Sequence, residues 1–204
     1  MTKVRKTATL PRKAPTQARS KATVAIILQA ATRVLAKESL DGFNTNRVAQ
    51  IAGISVGSLY QYFPNKDALV TALIVAEHES LLAKLDAAAP QLAGCNAQTV
   101  VRALAKLGVS QQFENPVLAA ALDHEEARLP IRKLLIQAET ALLDSVAKLA
   151  KPHYPNLTMI ELKDCMTIGQ AIVESETGNT KVDQVELEQR VYRALSGYLN
   201  FTFT

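Results

Sequence analysis

The stretch Asn44–Lys66, which reads NTNRVAQIAGISVGSLYQYFPNK, decides the fold because it predicts two short helices joined by a tight turn. Apolar residues recur at helical spacing behind Asn44, a residue type that caps helix N-termini. Gly53 ends the first helix, since glycine enters the left-handed backbone region at little cost. Ser55 caps the second helix, and Pro64 ends it by disfavouring the α conformation in the residue before it. The pattern is that of a helix-turn-helix.

The second helix of this pair has a predicted inner face and a predicted outer face. Leu59 and Phe63 lie four residues apart and form its apolar seam, so at 100° per residue Gly57 and Gln61 point away from the core. The outer face carries no acidic side chain, and the first turn of the helix has little bulk. A backbone of this kind can press close to base edges in a DNA major groove, which is about 12 Å wide.

The run from residue 52 to residue 66, AGISVGSLYQYFPNK, resembles the DNA-binding signature of the tetracycline-repressor (TetR) family. The family pattern is in essence A-G-V-S-x-G-x-L-Y-x-(Y/H)-F-x-x-K, and this sequence departs from it by Ile54 in place of valine. The match extends back through Ala49 and, more loosely, to about residue 20. The resemblance implies an all-α protein of about nine helices, in which a three-helix DNA-binding head with the helix-turn-helix precedes a larger helical domain for ligand binding and dimerisation.

Three functional segments are predicted along the chain. They are a basic flexible arm over residues 1–19, a helix-turn-helix DNA-binding domain over residues 20–66, and an effector-binding and dimerisation domain over residues 67–204. Beyond the two short helices, helical patterns are predicted over residues 20–38, 65–89, 97–112, 116–126, 131–151, 159–176 and 183–203. We expect the helix that opens at Asn65 to stop before Pro90. The family usually has glycine where Ser39 stands, so the sequence does not predict the conformation of the turn that follows the first helix.

Charge is distributed unevenly along the chain, whose formal net charge is +4. Residues 1–66 hold 11 Lys and Arg against two acids, Glu38 and Asp41, and so carry +9. Residues 67–204 hold 12 bases against 17 acids and carry −5. A basic head on an acidic body is typical of a protein that meets a polyanion at one end. The basic arm either tracks phosphates and the adjacent minor groove, or is a flexible tail that adds only non-specific affinity.

Five residues are candidates for contacts with the DNA backbone. Hydroxyl and cationic groups suit phosphates, which points to Thr45, Tyr62 and Lys66. Arg47 suits either a phosphate or a base edge. Tyr60 matches the tyrosine that the family uses at the DNA backbone, so its role is implied by the resemblance.

Five more residues are candidates for the base edges themselves. Val56 can meet a thymine methyl group, and Ser55, Ser58 and Gln61 can form hydrogen bonds with bases. Gly57 contributes a close approach of the backbone rather than a side chain.

The last two helical patterns carry apolar surface wider than a single stripe, which predicts a second burial partner. TetR-like proteins dimerise through their last two helices, so the resemblance implies a homodimer that binds a near-palindromic DNA operator. The alternative is that these helices are buried in the core of their own chain. The residues expected at the dimer interface are Leu162, Met166, Gly169, Val173, Leu187, Val191, Leu195 and Tyr198.

A small-molecule pocket in the body of the protein is implied by the resemblance rather than by any motif. The scarcity of aromatic residues, 5% of the chain, favours an aliphatic lining and an apolar effector. The candidates are polar or soft residues within apolar helices, namely His78, Gln111, His124, Met166 and Gln170.

Other classes of protein lack support in the sequence. No nucleophile–base set, glycine-rich phosphate loop or metal-ligand cluster is visible, so we expect no enzymatic activity, no cofactor and no metal. The run His124-Glu125-Glu126 is not a metal site, because adjacent residues on a helix point apart. No apolar run approaches the ~20 residues of a membrane span, and Cys95 and Cys165 are typical of the reduced thiols of a cytoplasmic protein.

The expected function is therefore that of a sequence-specific DNA-binding transcriptional regulator. Its simplest form is a homodimeric repressor that binds a palindromic operator and is released by a small-molecule effector. The alternative is a ligand-independent DNA-binding protein, or an activator, of the same fold.

Overall fold

The computed structural model describes residues 18–176 and 182–203, so the predicted basic arm over residues 1–19 lies outside it apart from its last two positions. Within the described residues the chain forms helices and no strand. The helices are α1 Ala18–Gly42, α2 Thr45–Ala52, α3 Val56–Tyr62, α4 Lys66–Leu92, α5 Ala97–Glu114, α6 Pro116–Arg128, α7 Arg132–Ala150, α8 Met159–Glu174 and α9 Gln184–Phe203. The predicted all-α class is confirmed, and so is the predicted number of helices for this part of the chain.

The caps predicted from sequence set the limits of α2 and α3. Asn44 has an extended backbone, and its side-chain oxygen accepts a hydrogen bond from the N–H of Arg47 at 2.9 Å. Gly53 follows α2 in the left-handed conformation, with φ of 67°. Ser55 caps α3 by accepting a hydrogen bond from the N–H of Ser58 at 3.0 Å. All three predicted roles are confirmed, and an N-cap of this kind stabilises a protein by roughly 0.5–2 kcal/mol.

An apolar core supports the helix-turn-helix. Leu59 and Phe63 are 0% and 1% exposed, which confirms the predicted inner face of α3 and its end. Phe63 has an extended backbone, so the helix ends just before Pro64, as predicted. Side chains of the neighbouring helices and loop are buried as well, namely Ile27, Ala30, Ala31, Val34, Leu35, Phe43, Val48, Ala49, Leu69 and Val70. Burying a large apolar side chain contributes about 1.5–3 kcal/mol, so this core fixes how α3 is presented.

Two helix ends differ from expectation. α1 runs to Gly42 but breaks at Ser39, where φ is 55° and ψ is −174°, a conformation that is otherwise almost confined to glycine. α4 continues past Pro90 to Leu92, so the prediction that it stops before the proline is wrong. Pro90 lies in the last turn of the helix, where its missing N–H removes a single backbone hydrogen bond and leaves the preceding turns intact.

Packing divides the described chain into two compact units. The first unit holds the residues up to Glu77 together with Val117–Leu134, and so includes the helix-turn-helix and all of α6 except Pro116. Arg128 at the end of α6 donates hydrogen bonds at 2.6 Å to Asp67 of α4 and to Glu125. The Glu125 carboxylate is buried, and a buried carboxylate needs such a partner. The division by function at residues 66 and 67 stays a prediction.

The second unit contains His78–Pro116 and the residues from Leu135 onward. α5, α8 and α9 pack against one another around two apolar clusters. The guanidinium of Arg102 on α5 stacks over the Tyr192 ring of α9, 4.2 Å from its centroid. No helix in the described part of the chain combines the length and apolar character needed to cross a membrane.

Candidate nucleic-acid interface

The outer face of α3 is uncovered within the described chain. Gly57 and Gln61 are exposed, as the helical spacing predicts, and so are Ser55 and Tyr60. A β-carbon built at Gly57 would meet only the Oγ atom of Ser55, at 3.8 Å. The first turn of α3 therefore presents nearly bare backbone, which a flat surface such as a base edge can approach closely.

The two serines at the start of α3 are already bonded to each other. The Oγ atoms of Ser55 and Ser58 lie 2.8 Å apart, and Ser55 Oγ also caps the helix. Only one of the two hydroxyl hydrogens is used in this bond, so the other hydroxyl keeps a donor for a base. Val56 and Tyr62, the remaining candidates on this helix, are half-buried at its edges.

The helices α2 and α3 are joined by a pair of hydroxyl groups. Thr45 Oγ1 at the start of α2 lies 3.0 Å from Tyr60 Oη on α3. The pair brings two of the five predicted backbone contacts to one place, although they are 15 residues apart in sequence. Two adjacent hydroxyls of this kind can donate to the oxygen atoms of one phosphate group.

Arg47 forms intramolecular contacts that the sequence analysis missed. Its Nε donates to Glu38 Oε1 at 2.9 Å, and one terminal nitrogen donates to Gln50 Oε1 at 2.8 Å. Glu38 lies at the end of the regular part of α1, nine residues away, beyond the reach of any helix-spacing rule. One available signal was that Glu38 is one of only two acids among residues 1–66.

Lys66 also has a partner within the chain. Its Nζ donates to the carbonyl oxygen of Leu40 at 3.2 Å and stands 5.4 Å from the centroid of the Phe43 ring. The side chain thus contacts both the last turn of α1, at Leu40, and Phe43 in the connection to α2. The ammonium group has three N–H donors, so a phosphate contact is compatible with these contacts but stays a prediction.

All ten predicted DNA contacts fall on α2, on α3 with its cap, and on the first residue of α4, within the first unit. The structure brings some of them into direct contact, as at the hydroxyl pair and the serine pair. Arg47 and Lys66 instead form hydrogen bonds with other residues of the chain. Their individual roles at DNA stay predictions.

The five candidate ligand contacts differ in burial. His124 and Gln170 are exposed, and Gln170 donates to Glu174 at 2.6 Å, so neither has the enclosed position of a pocket-lining side chain. Gln111 is half-buried and accepts a hydrogen bond from Lys84 Nζ at 2.9 Å. His78 and Met166 are half-buried. The ligand-binding residues stay a prediction.

The eight candidate dimer contacts also divide by burial. Half of them belong to the apolar clusters of the second unit and have less than a tenth of their surface exposed, namely Leu162, Val173, Leu187 and Val191. Such side chains have little surface left for a second copy. The others are half-buried, namely Met166, Gly169, Leu195 and Tyr198. The Tyr198 hydroxyl donates a hydrogen bond to Asp164 at 3.0 Å. Desolvation is the larger cause, and this bond the next, of a raised pKa of Tyr198. The dimer surface stays a prediction.

The sequence matches a known family over the part of the chain that forms this interface. Residues 27–73 fit the sequence model of a family described as bacterial regulatory proteins, tetR family. The matched segment runs from α1 into α4 and includes the whole helix-turn-helix. The resemblance found in the signature from Ala52 to Lys66 is therefore confirmed. A comparison with curated proteins found no match.

Solved structures share the fold over nearly the whole chain. A protein from Mesorhizobium loti MAFF303099 that is assigned to the TetR family of transcriptional regulators superposes with a TM-score of 0.74 and 18% identity, covering 91% of this chain and 98% of its own. FadR from Bacillus subtilis, solved in complex with stearoyl-CoA, gives a TM-score of 0.67 and 18% identity, with 84% and 96% covered. The multidrug-binding protein EbrR, solved with imidazole, gives 0.61 and 20%, with 83% and 93% covered. At these identities the likeness shows the fold alone.

Proposed function

We propose that this chain, which carries a TetR-family DNA-binding domain and has the fold of TetR-family transcriptional regulators, is a homodimeric cytoplasmic repressor. It binds a palindromic operator and leaves it when a small-molecule effector binds. The observation that carries the proposal is the outer face of α3, where Gly57 and Gln61 are exposed while Leu59 and Phe63 are buried.

Charge and shape together support binding to duplex DNA. The sequence of α3, VGSLYQY, has no acidic side chain, and residues 1–66 carry a net charge of +9. A basic surface releases counterions from the phosphates and supplies affinity for any duplex. The small residues at the N-terminal end of α3 let the helix enter the major groove, where base edges can be distinguished.

Two copies of the chain are needed for useful specificity. A single seven-residue recognition helix can read only a few base pairs, each of which contributes about 1–3 kcal/mol of discrimination. A two-fold dimer doubles the number and requires half-sites about 34–36 Å apart, or a multiple of that distance. Exposed apolar side chains are available on the two last helices, with Ile160 of α8 75% exposed and Val185 of α9 59% exposed.

An effector site in the second unit would be linked to the DNA-binding unit through α4. This helix is continuous, with its residues up to Glu77 in the first unit and its residues from His78 in the second. The similar structures of FadR and EbrR were solved with stearoyl-CoA and with imidazole. Because aromatic residues are scarce in this chain, we favour an apolar effector such as a long acyl chain.

The decisive experiment has two stages. In the first, the full chain selects ligands from a pool of random duplexes, and we expect enrichment of one inverted repeat. A bound pool that stays random would contradict sequence-specific recognition. In the second stage, stearoyl-CoA and then a library of apolar metabolites are tested for release of the selected duplex, with free CoA as the control. Retention of the duplex against every compound would favour the ligand-independent alternative.

A further inference from the structure

We propose that Glu38 restrains Arg47 and thereby lowers the affinity of the protein for the DNA backbone. The inference rests on the proposed DNA-binding function and adds a residue that limits it. Glu38 is a positioning residue here, because it acts through the arginine and need not contact DNA itself.

Position makes Arg47 a natural phosphate ligand. It is the third residue of α2, two positions after Thr45, whose hydroxyl meets that of Tyr60 on α3. In a helix-turn-helix the first helix of the pair crosses the DNA backbone, so cations in its first turn lie near phosphates. Its side chain is 39% exposed, which leaves it within reach of solvent and of a ligand.

The pairing with Glu38 makes this cation unavailable for contact with a DNA phosphate. The carboxylate accepts a hydrogen bond from Nε at 2.9 Å, and Gln50 accepts one from a terminal nitrogen at 2.8 Å, so two of the five N–H donors are bonded within the chain. The ion pair has no net charge to offer to a phosphate. Opening it against DNA would leave the Glu38 carboxylate beside a polyanion, so the pair is expected to persist in the complex.

The placement of acids in the head supports the same conclusion. Residues 1–66 contain eleven bases and two acids, Glu38 and Asp41. One of these acids is bonded to an arginine of the helix-turn-helix, while Asp41 is exposed three residues further on. Partly exposed ion pairs contribute little to folding stability, so a role for this pair in stability alone predicts a small effect on folding and none on DNA affinity.

The test compares Glu38→Gln with Asp41→Asn, which changes the net charge of the head by the same amount. The probe is a fluorescent random-sequence duplex of 30 base pairs, titrated at salt concentrations from about 50 to 200 mM. We expect Glu38→Gln to bind about fivefold more tightly near 100 mM salt and to steepen the log–log salt slope by ~0.9, the value for one added phosphate contact. We expect Asp41→Asn to change the affinity by less than about twofold, since it frees no cation.

A second set of variants tests whether the gain in affinity depends on Arg47. Glu38→Gln made in an Arg47→Gln protein should behave like Asp41→Asn, because no guanidinium is left to release. Glu38→Ala, which keeps a strong helix former at this position, should repeat the gain if the glutamine variant folds poorly. Equal effects of Glu38→Gln and Asp41→Asn, or a gain that survives Arg47→Gln, would overturn the inference. If the unaltered chain binds no duplex, the proposed function fails and this inference fails with it.

Discussion

The hydroxyl oxygen atoms of Thr45 and Tyr60 lie 3.0 Å apart, so one donates a hydrogen bond to the other across the turn of the helix-turn-helix. The two side chains come from different helices and reach the surface together. This relationship joins the N-terminal end of α2, a favourable position for an anion, to the exposed face of α3.

Tyr60→Phe should weaken binding to every duplex by the same factor. The variant loses one hydrogen bond to a charged phosphate, which is worth about 1.5–3 kcal/mol, or roughly ten- to 150-fold in Kd. Fluorescence titration with a selected operator and with random duplex measures both affinities. Because a phosphate contact reads no sequence, the ratio of the two Kd values should not change. A loss confined to the operator would contradict the backbone role.

Gly57→Ala should stabilise the protein and weaken its binding to the operator. Alanine in a helix is favoured over glycine by about 0.5–1 kcal/mol, and the new methyl group would meet only Ser55 Oγ at 3.8 Å. That methyl group would stand between the backbone of α3 and a base edge. Thermal denaturation and operator titration separate the two effects. Undiminished operator affinity in a stabilised variant would show that α3 does not approach the bases at this residue.

Ser39→Gly should raise the free energy of unfolding by about 1 kcal/mol. At φ of 55° and ψ of −174° the backbone strain of a residue with a side chain is roughly 1–3 kcal/mol. Glycine relieves most of this strain. Its more flexible unfolded state lowers the free energy of unfolding by about 0.5–1 kcal/mol in return. Ser39→Ala is the control, because it keeps the β-carbon and removes only the hydroxyl, which donates to Glu38 O at 2.7 Å. Urea denaturation measures all three proteins. A destabilised glycine variant would refute the strain.

Lys66→Met should lower the free energy of unfolding by about 0.5–1.5 kcal/mol, because it removes the bond to Leu40 O and the cation beside Phe43. Methionine keeps most of the length of the side chain. If Lys66 also holds a phosphate, the salt slope of DNA binding should fall by ~0.9. Salt titration of the folded variant decides between the two roles. A destabilised variant with an unchanged slope would leave Lys66 with the structural role only.

Cys165 should resist alkylation at pH 8, while Cys95 reacts. Burial, with a smaller effect from the neighbouring Asp164, raises the pKa of Cys165 to about 11 from a usual value of 9.0, and Cys95 is half-exposed. Because the pKa of the Cys165 thiol is higher in the folded chain than in the unfolded chain, the protonated thiol favours the folded state. This contribution to the free energy of unfolding is complete below pH 9 and is lost between about pH 9 and 11. Iodoacetamide labelling followed by peptide mass analysis reports each thiol. Equal labelling of both cysteines in the folded protein would contradict the burial.

Much of the fold could be predicted because its signals are local. The caps at Asn44 and Ser55 and the left-handed Gly53 depend on backbone groups within four residues, so their chemistry is visible in the sequence. The apolar spacing that buries Leu59 and Phe63 also determined which face of α3 is exposed.

The dimer interface stays a prediction, for a physical reason. Apolar spacing shows that a helix face will be buried but does not name what buries it. Leu187 and Val191 are predicted to contact a second copy, and within their own chain they lie in an apolar cluster with residues of α5 and α8. The ligand-binding residues also stay a prediction. Polar side chains within apolar helices have no fixed spacing, so the sequence does not show which of them line a pocket.

The sequence by itself determined the helix-turn-helix, the exposed face of α3 and the basic character of the head, because caps, turns and helical spacing act over a few residues and charge is additive. Only the tertiary structure decided which partner Arg47 and Lys66 each meet. The contact of Arg47 with Glu38 depends on how the chain turns at Ser39, and that of Lys66 with Leu40 joins residues 26 positions apart. A bend of that kind sets distances between residues far apart in sequence, which no local pattern encodes.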